Sequence, residues 1–184
     1  MNQLSVLDVC CGSRMFWFDR SDPRAVFVDR RIESHQLTDS SSDGGSRTLV
    51  ISPDIQSDFT RLPFKSDHFS LVVFDPPHFE KLGKTSWMAK KYGFLSAGWQ
   101  DVIRRGFIEC FRVLATNGTL VFKWNEYQIP LKDVISLAPV APLFGNNKSS
   151  NSKTHWLSFI KSPDYDASTD ASMAALPMFA AQGV

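Results

Sequence analysis

The chain has almost no excess of charge of either sign: 20 lysines and arginines stand against 19 aspartates and glutamates in 184 residues. Without a net field the surface as a whole is drawn neither to nucleic acid nor to a membrane, and any basic footprint must be local. Cysteine is scarce and odd in number. Cys10 and Cys11 are adjacent in an extended stretch and point to opposite faces, which suits neither a disulfide nor a zinc site, and Cys110 stands far from both. All three are expected to be reduced, buried thiols of a cytoplasmic protein without a metal. No window approaches the roughly 20 apolar residues of a membrane span, and no basic segment with an apolar run opens the chain, so neither a membrane partner nor secretion is expected. A hydrophobic fraction of 43% and this length suit one domain with a sizeable core.

The most informative stretch is Phe69 to Glu80. Leu71 to Phe74 is short, apolar on both alternating faces and rich in β-branched residues, as a central parallel strand covered on both sides reads. Pro76 and Pro77 end it, because neither donates to a ladder and each fixes its own φ. Asp75 is thereby placed at the carboxyl end of a strand, the edge at which open α/β sheets bind ligands. Its carboxylate and the carbonyl of Pro76 are two acceptors on a stiff backbone, able to take both hydrogens of one exocyclic amino group and aim the nitrogen lone pair at an electrophile. His78 adds a flat ring for stacking on a planar substrate.

These four residues resemble motif IV, [DNS]-P-P-[YFWH], of the class I S-adenosylmethionine-dependent amino-methyltransferases. The resemblance extends along about residues 4 to 161. Leu4 to Cys11 reads as a first buried strand ending at Gly12-Ser13-Arg14, and Val6 to Arg14 is similar to the family's glycine-rich motif I with Asp8 and Gly12 in register. Cys10 and Arg14 replace two of its glycines. Ala25 to Val28 is a second short strand that delivers Asp29, where an acid can accept from both ribose hydroxyls; the other reading is a surface acid in the run Asp29 to Glu33. Ser57 to Phe64 resembles the family's G-D-[AF]-x-x-L-P-F segment, which implies that Asp58 accepts from the adenine amino group and Phe59 contacts the adenine ring. Arg112 to Phe122 resembles the family's R-V-L-x-x-x-G-x-L stretch. The Cys-Cys-Gly turn and the terminal Thr-His-Trp look nearest to small methyltransferases of phages and prophages.

The resemblance implies one Rossmann-like α/β domain over residues 1–161, with a mostly parallel seven-stranded sheet, flanking helices of which some are shortened, and a flexible tail over 162–184. It implies S-adenosylmethionine as cofactor, held by Asp8, Cys10, Gly12, Asp29, Asp58, Phe59 and Asp75, with Asp75, Pro76, Pro77 and His78 as the catalytic turn. The acceptor it favours is an amino group of a nucleic-acid base, adenine N6 of DNA before RNA. Protein glutamine, a small molecule, or cofactor binding without turnover are the alternatives.

The remaining segments fill in this frame. Arg14 to Pro23 is too short for a full helix, and Phe16-Trp17-Phe18 is expected to pack over the sheet edge. Ser34 to Arg47 has no apolar period and reads as a loop, with Thr48 to Ile51 as an edge strand. Lys81, Lys84, Lys90 and Lys91 alternate with Trp87, Tyr92 and Phe94. This is either a substrate loop that touches phosphates and stacks bases or a solvated loop anchored by Trp87. Ile103, Phe107, Cys110, Phe111 and Leu114 recur at helical spacing, so Gln100 to Leu114 is expected as a helix stopped by Asn117-Gly118. Thr119 to Phe122 reads as a strand that delivers Lys123 and Trp124 to the substrate mouth. Asp133 to Leu137 is a sixth strand or a helix remnant, Thr154 to Ile160 is the last strand, and His155 is expected to be structural. No separate recognition domain fits between the motifs, so reading a long site would need a partner subunit, a homodimer or the lysine-rich loop.

Overall fold

The computed structural model describes residues 5–38, 45–83, 86–146 and 152–166. Its strands and helices are β1 (Val6–Asp8), β2 (Ala25–Asp29), β3 (Glu33–Thr38), β4 (Ser46–Ile51), β5 (Ile55–Gln56), β6 (Phe69–Phe74), α1 (Trp87–Tyr92), α2 (Trp99–Val113), β7 (Leu114–Asn125), α3 (Leu131–Ile135), β8 (Phe144–Gly145) and β9 (Thr154–Ile160). Seven strands form one sheet in the order β5-β2-β1-β6-β7-β9-β8. β5, β2, β1, β6 and β7 run parallel, and β9 runs antiparallel between β7 and β8. This is the expected Rossmann-like, class I methyltransferase type of sheet, mostly parallel and seven-stranded. The order reverses on either side of β1, so the carboxyl ends of β1 and β6 diverge there into a crevice.

The central strands are buried because both faces are covered: Leu7, Val28, Val72, Phe74, Leu120 and Phe122 are almost fully excluded from water. On one face α2 lays Ile103, Phe107, Cys110 and Phe111 against the sheet, all of them fully buried. Phe107 meets Phe74, Phe122 and Phe159 at ring distances of 5.3, 4.9 and 5.9 Å. Gly106 is required by this contact, since a Cβ there would lie 2.7 Å from Phe59 and from Phe74.

Several expectations are corrected. Residues 33–38 are not a loop: Glu33–Thr38 pairs antiparallel with Ser46–Ile51 as a separate two-stranded hairpin, so the Thr48 to Ile51 strand is not an edge of the main sheet. Only Leu37, Leu49 and Ile51 are buried in it, which left no apolar alternation to read. Helix α2 ends before Asn117-Gly118, at Val113, where Leu114 turns extended and begins β7. Asn117, with φ of 63°, belongs to an irregularity inside that strand: register jumps from Phe69↔Leu114 to Leu71↔Thr119, and residues 115–118 bulge out. The 133–137 segment is helical, and the strand beside β9 is the short Phe144–Gly145, from a stretch that reads as loop. Most of the expected 162–184 tail, residues 167–184, lies outside the described residues, while Tyr165 within it packs on Phe111 at 5.1 Å.

Candidate active site

The site is built where β1, β6 and β7 end side by side. Register pairs Asp8 with Val73 and Phe74 with Phe122, which makes Asp75 and Lys123 the next neighbours beyond the ladder. Lys123 Nζ donates to Asp75 Oδ2 at 2.6 Å, with side-chain exposures of only 18% and 12%. Asp75 Oδ1 is buried and has no partner. An acceptor left in that state costs about 1–3 kcal/mol, so the geometry stores capacity for an incoming donor. Burial pushes the Asp75 carboxyl above the usual range, and the charge and hydrogen bond of Lys123 oppose that push.

A cleft of about 280 Å³ opens over these groups, lined by Cys10, Cys11, Gly12, Ser13, Met15, Phe16, Arg31, Asp75, Pro76, Lys91, Tyr92 and Lys123. A narrower extension touches Val9, Asp29, Phe59, Pro77 and Gly93. Its near wall is the turn after β1. Gly12 has φ of 50°, and a Cβ there would find nothing nearer than Arg31 Nη2 at 4.0 Å, so the backbone is open to a ligand. Arg14, which stands where the family has glycine, keeps the left-handed conformation at φ of 54° but turns its side chain away from the cleft. Its guanidinium covers the Phe27 ring at 3.9 Å and binds Arg20 O, Ser52 O and Asp54. The replaced glycine therefore leaves the opening clear.

Asp8 does not reach the cleft. It is fully buried beneath the turn, where Oδ1 accepts from Cys10 N at 3.2 Å and Oδ2 from Trp17 Nε1 at 2.8 Å, and burial pushes its carboxyl up to about 7. Its part is to hold the turn. Asp29 is buried at the end of β2: Oδ2 accepts from Gly12 N at 2.9 Å, and Oδ1 accepts from Arg31 N and Nε at 2.9 and 3.1 Å. Arg31 also donates to Lys90 O at 3.1 Å and so ties α1 to the cleft wall. Sequence reasoning passed over Arg31 as part of a charged run; its position two residues beyond Asp29 was the signal.

Phe59 lines the extension, held there because α2 grips its loop. Glu109 accepts from Leu62 N at 2.7 Å, and Arg112 donates to the carbonyls of Leu62 and Phe64. Asp58 is exposed and folds back on Thr60 N and Oγ1, both at 2.8 Å, outside the cleft.

Two aromatic assignments are corrected. Lys123 faces the cleft, so strand alternation turns Trp124 to the other side. Trp124 is fully buried and donates to Ile129 O at 3.1 Å, far from any substrate mouth. His78 is 5% exposed, packs against Phe79, Tyr92 and Trp124, and does not line the cleft. Its Nδ1 lies 3.3 Å from Pro76 O, taking one of that carbonyl's two acceptor positions, and burial lowers the ring's pKa to about 4, so it is neutral near pH 7.

The far wall is α1, begun by a Ser86 Oγ cap on Ala89 N and ended by Gly93 with φ of 71°, which rests on Pro77. It contributes Lys91 and Tyr92. Trp87 lies outside the cleft, with Lys91 Nζ 4.5 Å and Arg47 5.7 Å from its ring. Lys84 falls outside the described residues. The cysteines are unpaired, and burial raises the Cys10 and Cys11 thiols, Cys11 to about 12, which keeps them neutral and poor nucleophiles. Among the described residues no three His, Cys, Asp or Glu converge as a metal site, and no helix is long and apolar enough to cross a membrane.

Sheet order and strand directions define a chain with a Rossmann-like, class I methyltransferase type of fold. No family model and no curated protein matches the chain. Solved structures similar to it include the PH0226 protein of Pyrococcus horikoshii OT3, 17% identical over 85% of this chain and 81% of that one, with a TM-score of 0.49. A SAM-dependent methyltransferase from Leishmania major is 11% identical over 84% of this chain and 64% of its own, with a TM-score of 0.49. A TehB-like SAM-dependent methyltransferase from Corynebacterium glutamicum is 14% identical over 88% and 82%, with a TM-score of 0.48.

Proposed function

We propose that the chain is an S-adenosylmethionine-dependent N-methyltransferase acting on the exocyclic amino group of a nucleic-acid base, DNA adenine N6 first and RNA behind it. The observation that carries this reading is the buried, unpartnered Oδ1 of Asp75, a residue that lines a cleft beside an open glycine turn. The residues present fit the cofactor. Cys10, Gly12 and Ser13 would hold its amino-acid portion, Asp29 its ribose, once Arg31 releases the carboxylate, and Phe59 its adenine. S-adenosylmethionine, when bound, supplies an already activated sulfonium methyl, so no covalent enzyme intermediate is needed.

Asp75 Oδ1 and the free acceptor position of Pro76 O receive the two N–H groups of the acceptor and localise its lone pair. With the methyl group supplied by the bound cofactor, whose sulfur would keep the electron pair of the broken C–S bond, Asp75 Oδ1 would take the proton that the acceptor nitrogen sheds. Pro77 keeps this turn rigid, and Lys123 fixes the carboxylate. A glutamine amide would satisfy the same two acceptors, but an aromatic-lined cleft favours a flat ring.

The test is to incubate the protein with radiolabelled-methyl cofactor and separate pools of duplex DNA, single-stranded DNA, RNA and protein, followed by nuclease and protease digestion. Label recovered as N6-methyladenine supports the reading. Label in protein moves the acceptor to an amide, and cofactor binding with no label in any pool leaves a binding module.

A further inference from the structure

We propose that the acceptor ring docks on the β9 side of the cleft, in a subsite whose wall is Phe16, backed by Trp156, and whose floor is Lys123 and Asp75, and that this subsite takes one planar base carrying an exocyclic amino group. It rests on the amino-methyltransferase reading and adds where the ring lies.

His78, the ring that the motif offers for stacking, is enclosed by Phe79, Tyr92 and Trp124 and presents no face to the cleft. Two rings that line the cleft are left, Phe16 and Tyr92. Tyr92 also borders the extension with Asp29 and Phe59, the cofactor side of the site. Phe16 is tied instead to the acceptor end. Lys123 Nζ, 2.6 Å from Asp75, lies 5.6 Å from the centre of the Phe16 ring and 5.7 Å from that of Trp156. The two rings meet edge to face at 5.5 Å and 85°, forming a right-angled aromatic corner beside the Lys123 ammonium. Both are only half-buried, and Met15 beside them is 41% exposed.

The ammonium completes the arrangement. Lys123 is held on Oδ2 and flanked by the two rings, which leaves Oδ1 of the same carboxylate without a partner beside the aromatic corner. The two rings come from distant parts of the chain: Phe16 from the loop after β1, and Trp156 from β9, where it pairs directly with Lys123. A long aliphatic amine would leave the corner unfilled, whereas a flat heterocycle satisfies ring and carboxylate together.

The experiment uses the full chain and a fluorescein-labelled, adenine-containing single-stranded DNA oligonucleotide, read by anisotropy, alongside methylation kinetics and calorimetry with S-adenosylhomocysteine. Phe16→Leu and Trp156→Leu keep apolar volume but remove the flat ring; Phe16→Tyr and Trp156→Phe keep a ring. Each leucine variant is expected to weaken oligonucleotide binding and raise acceptor KM about 5- to 150-fold, the range of one lost base stack. Their S-adenosylhomocysteine affinity should match the wild type, and the ring-keeping variants should lose less oligonucleotide binding than the leucine variants. Leucine variants that bind and methylate the oligonucleotide normally overturn the subsite, as does a wild type that binds no oligonucleotide. A wild type that methylates only protein amides overturns the planar-base subsite but leaves N-methyl transfer standing. Failure to bind S-adenosylhomocysteine or to transfer any methyl fails the parent reading, and in that case loss of oligonucleotide binding in the leucine variants alone still supports the aromatic subsite.

Discussion

The two crossovers that flank the site solve the same problem by different means. Between β6 and β7 the chain makes the long helix α2, which packs a continuous apolar stripe on the sheet. Between β1 and β2 there is no helix; residues 9–24 are turns, pinned by Trp17 Nε1 on Asp8, by Arg14 on Asp54 and two carbonyls, and by Trp17 against Phe27 at 4.7 Å. One crossover is held by area and the other by a few directed bonds. The helix stabilises the sheet, while the loop leaves room for a cleft and supplies Cys10 to Phe16 to line it.

The helical side should break most severely by truncation. Phe107→Ala removes a fully buried ring at the meeting of α2, β6, β7 and β9, and urea unfolding should show a loss of about 3–5 kcal/mol. At the edge between the two sides, Asp75→Asn keeps the shape but loses the charge, and methyl transfer should fall on the order of 10²- to 10³-fold with S-adenosylhomocysteine binding retained.

Lys123→Met probes the same carboxylate through pH. Asp75 is faced by Lys123 on β7, His78 in its own turn, Asp8 on β1, and Arg31 and Lys91 across the cleft. Removing the ammonium leaves burial less opposed and raises the Asp75 pKa further. The acid limb of the rate profile should then move to higher pH, so that activity is lost most at low pH and regained toward alkaline pH. A loss equal at all pH values would make Lys123 a packing residue only.

The loop side carries its own pH signature. Asp8, pushed up to about 7 by burial, keeps its proton in the folded state at pH values where the unfolded chain has lost it. Its contribution is therefore fully present below the unfolded value near 4 and is lost as pH rises through 7. Asp8→Asn abolishes that loss, so its stability relative to wild type should rise by about 2–3 kcal/mol between pH 5 and 8, measured by urea unfolding at both. Smallest is Arg14→Ala. It removes three hydrogen bonds and the cover over Phe27, but Asp54 is half exposed, and a loss of about 1–2 kcal/mol is expected.

The asymmetry between the crossovers also explains what could be read in advance. Ile103, Phe107, Cys110 and Phe111 announced α2 because a packed helix must repeat its apolar residues at 3.6. Leu71 to Phe74 followed by two prolines announced β6 and its end. The hairpin β3–β4 was invisible because Glu33-Ser34-His35-Gln36 buries almost nothing, and its pairing rests on the backbone ladder with an exposed Gln36–Thr48 side-chain bond. His78 and Trp124 were misplaced for a related reason: a ring's chemistry is written in the sequence, but its exposure depends on neighbours from α1 and from the segment after β7 that no local pattern identifies.

By itself the sequence determined the strands with doubly apolar faces, the amphipathic helix, and the placement of Asp75 at a strand end, since each follows from local periodicity and the stereochemistry of proline. Only tertiary structure decided that Lys123 would clamp Asp75, that Arg31 would occupy Asp29, and that Phe16 and Trp156 would meet beside them. The Lys123–Asp75 and Phe16–Trp156 contacts join residues 48 and 140 positions apart, and they form only when the sheet order brings their strands together, an order that is a property of the whole core.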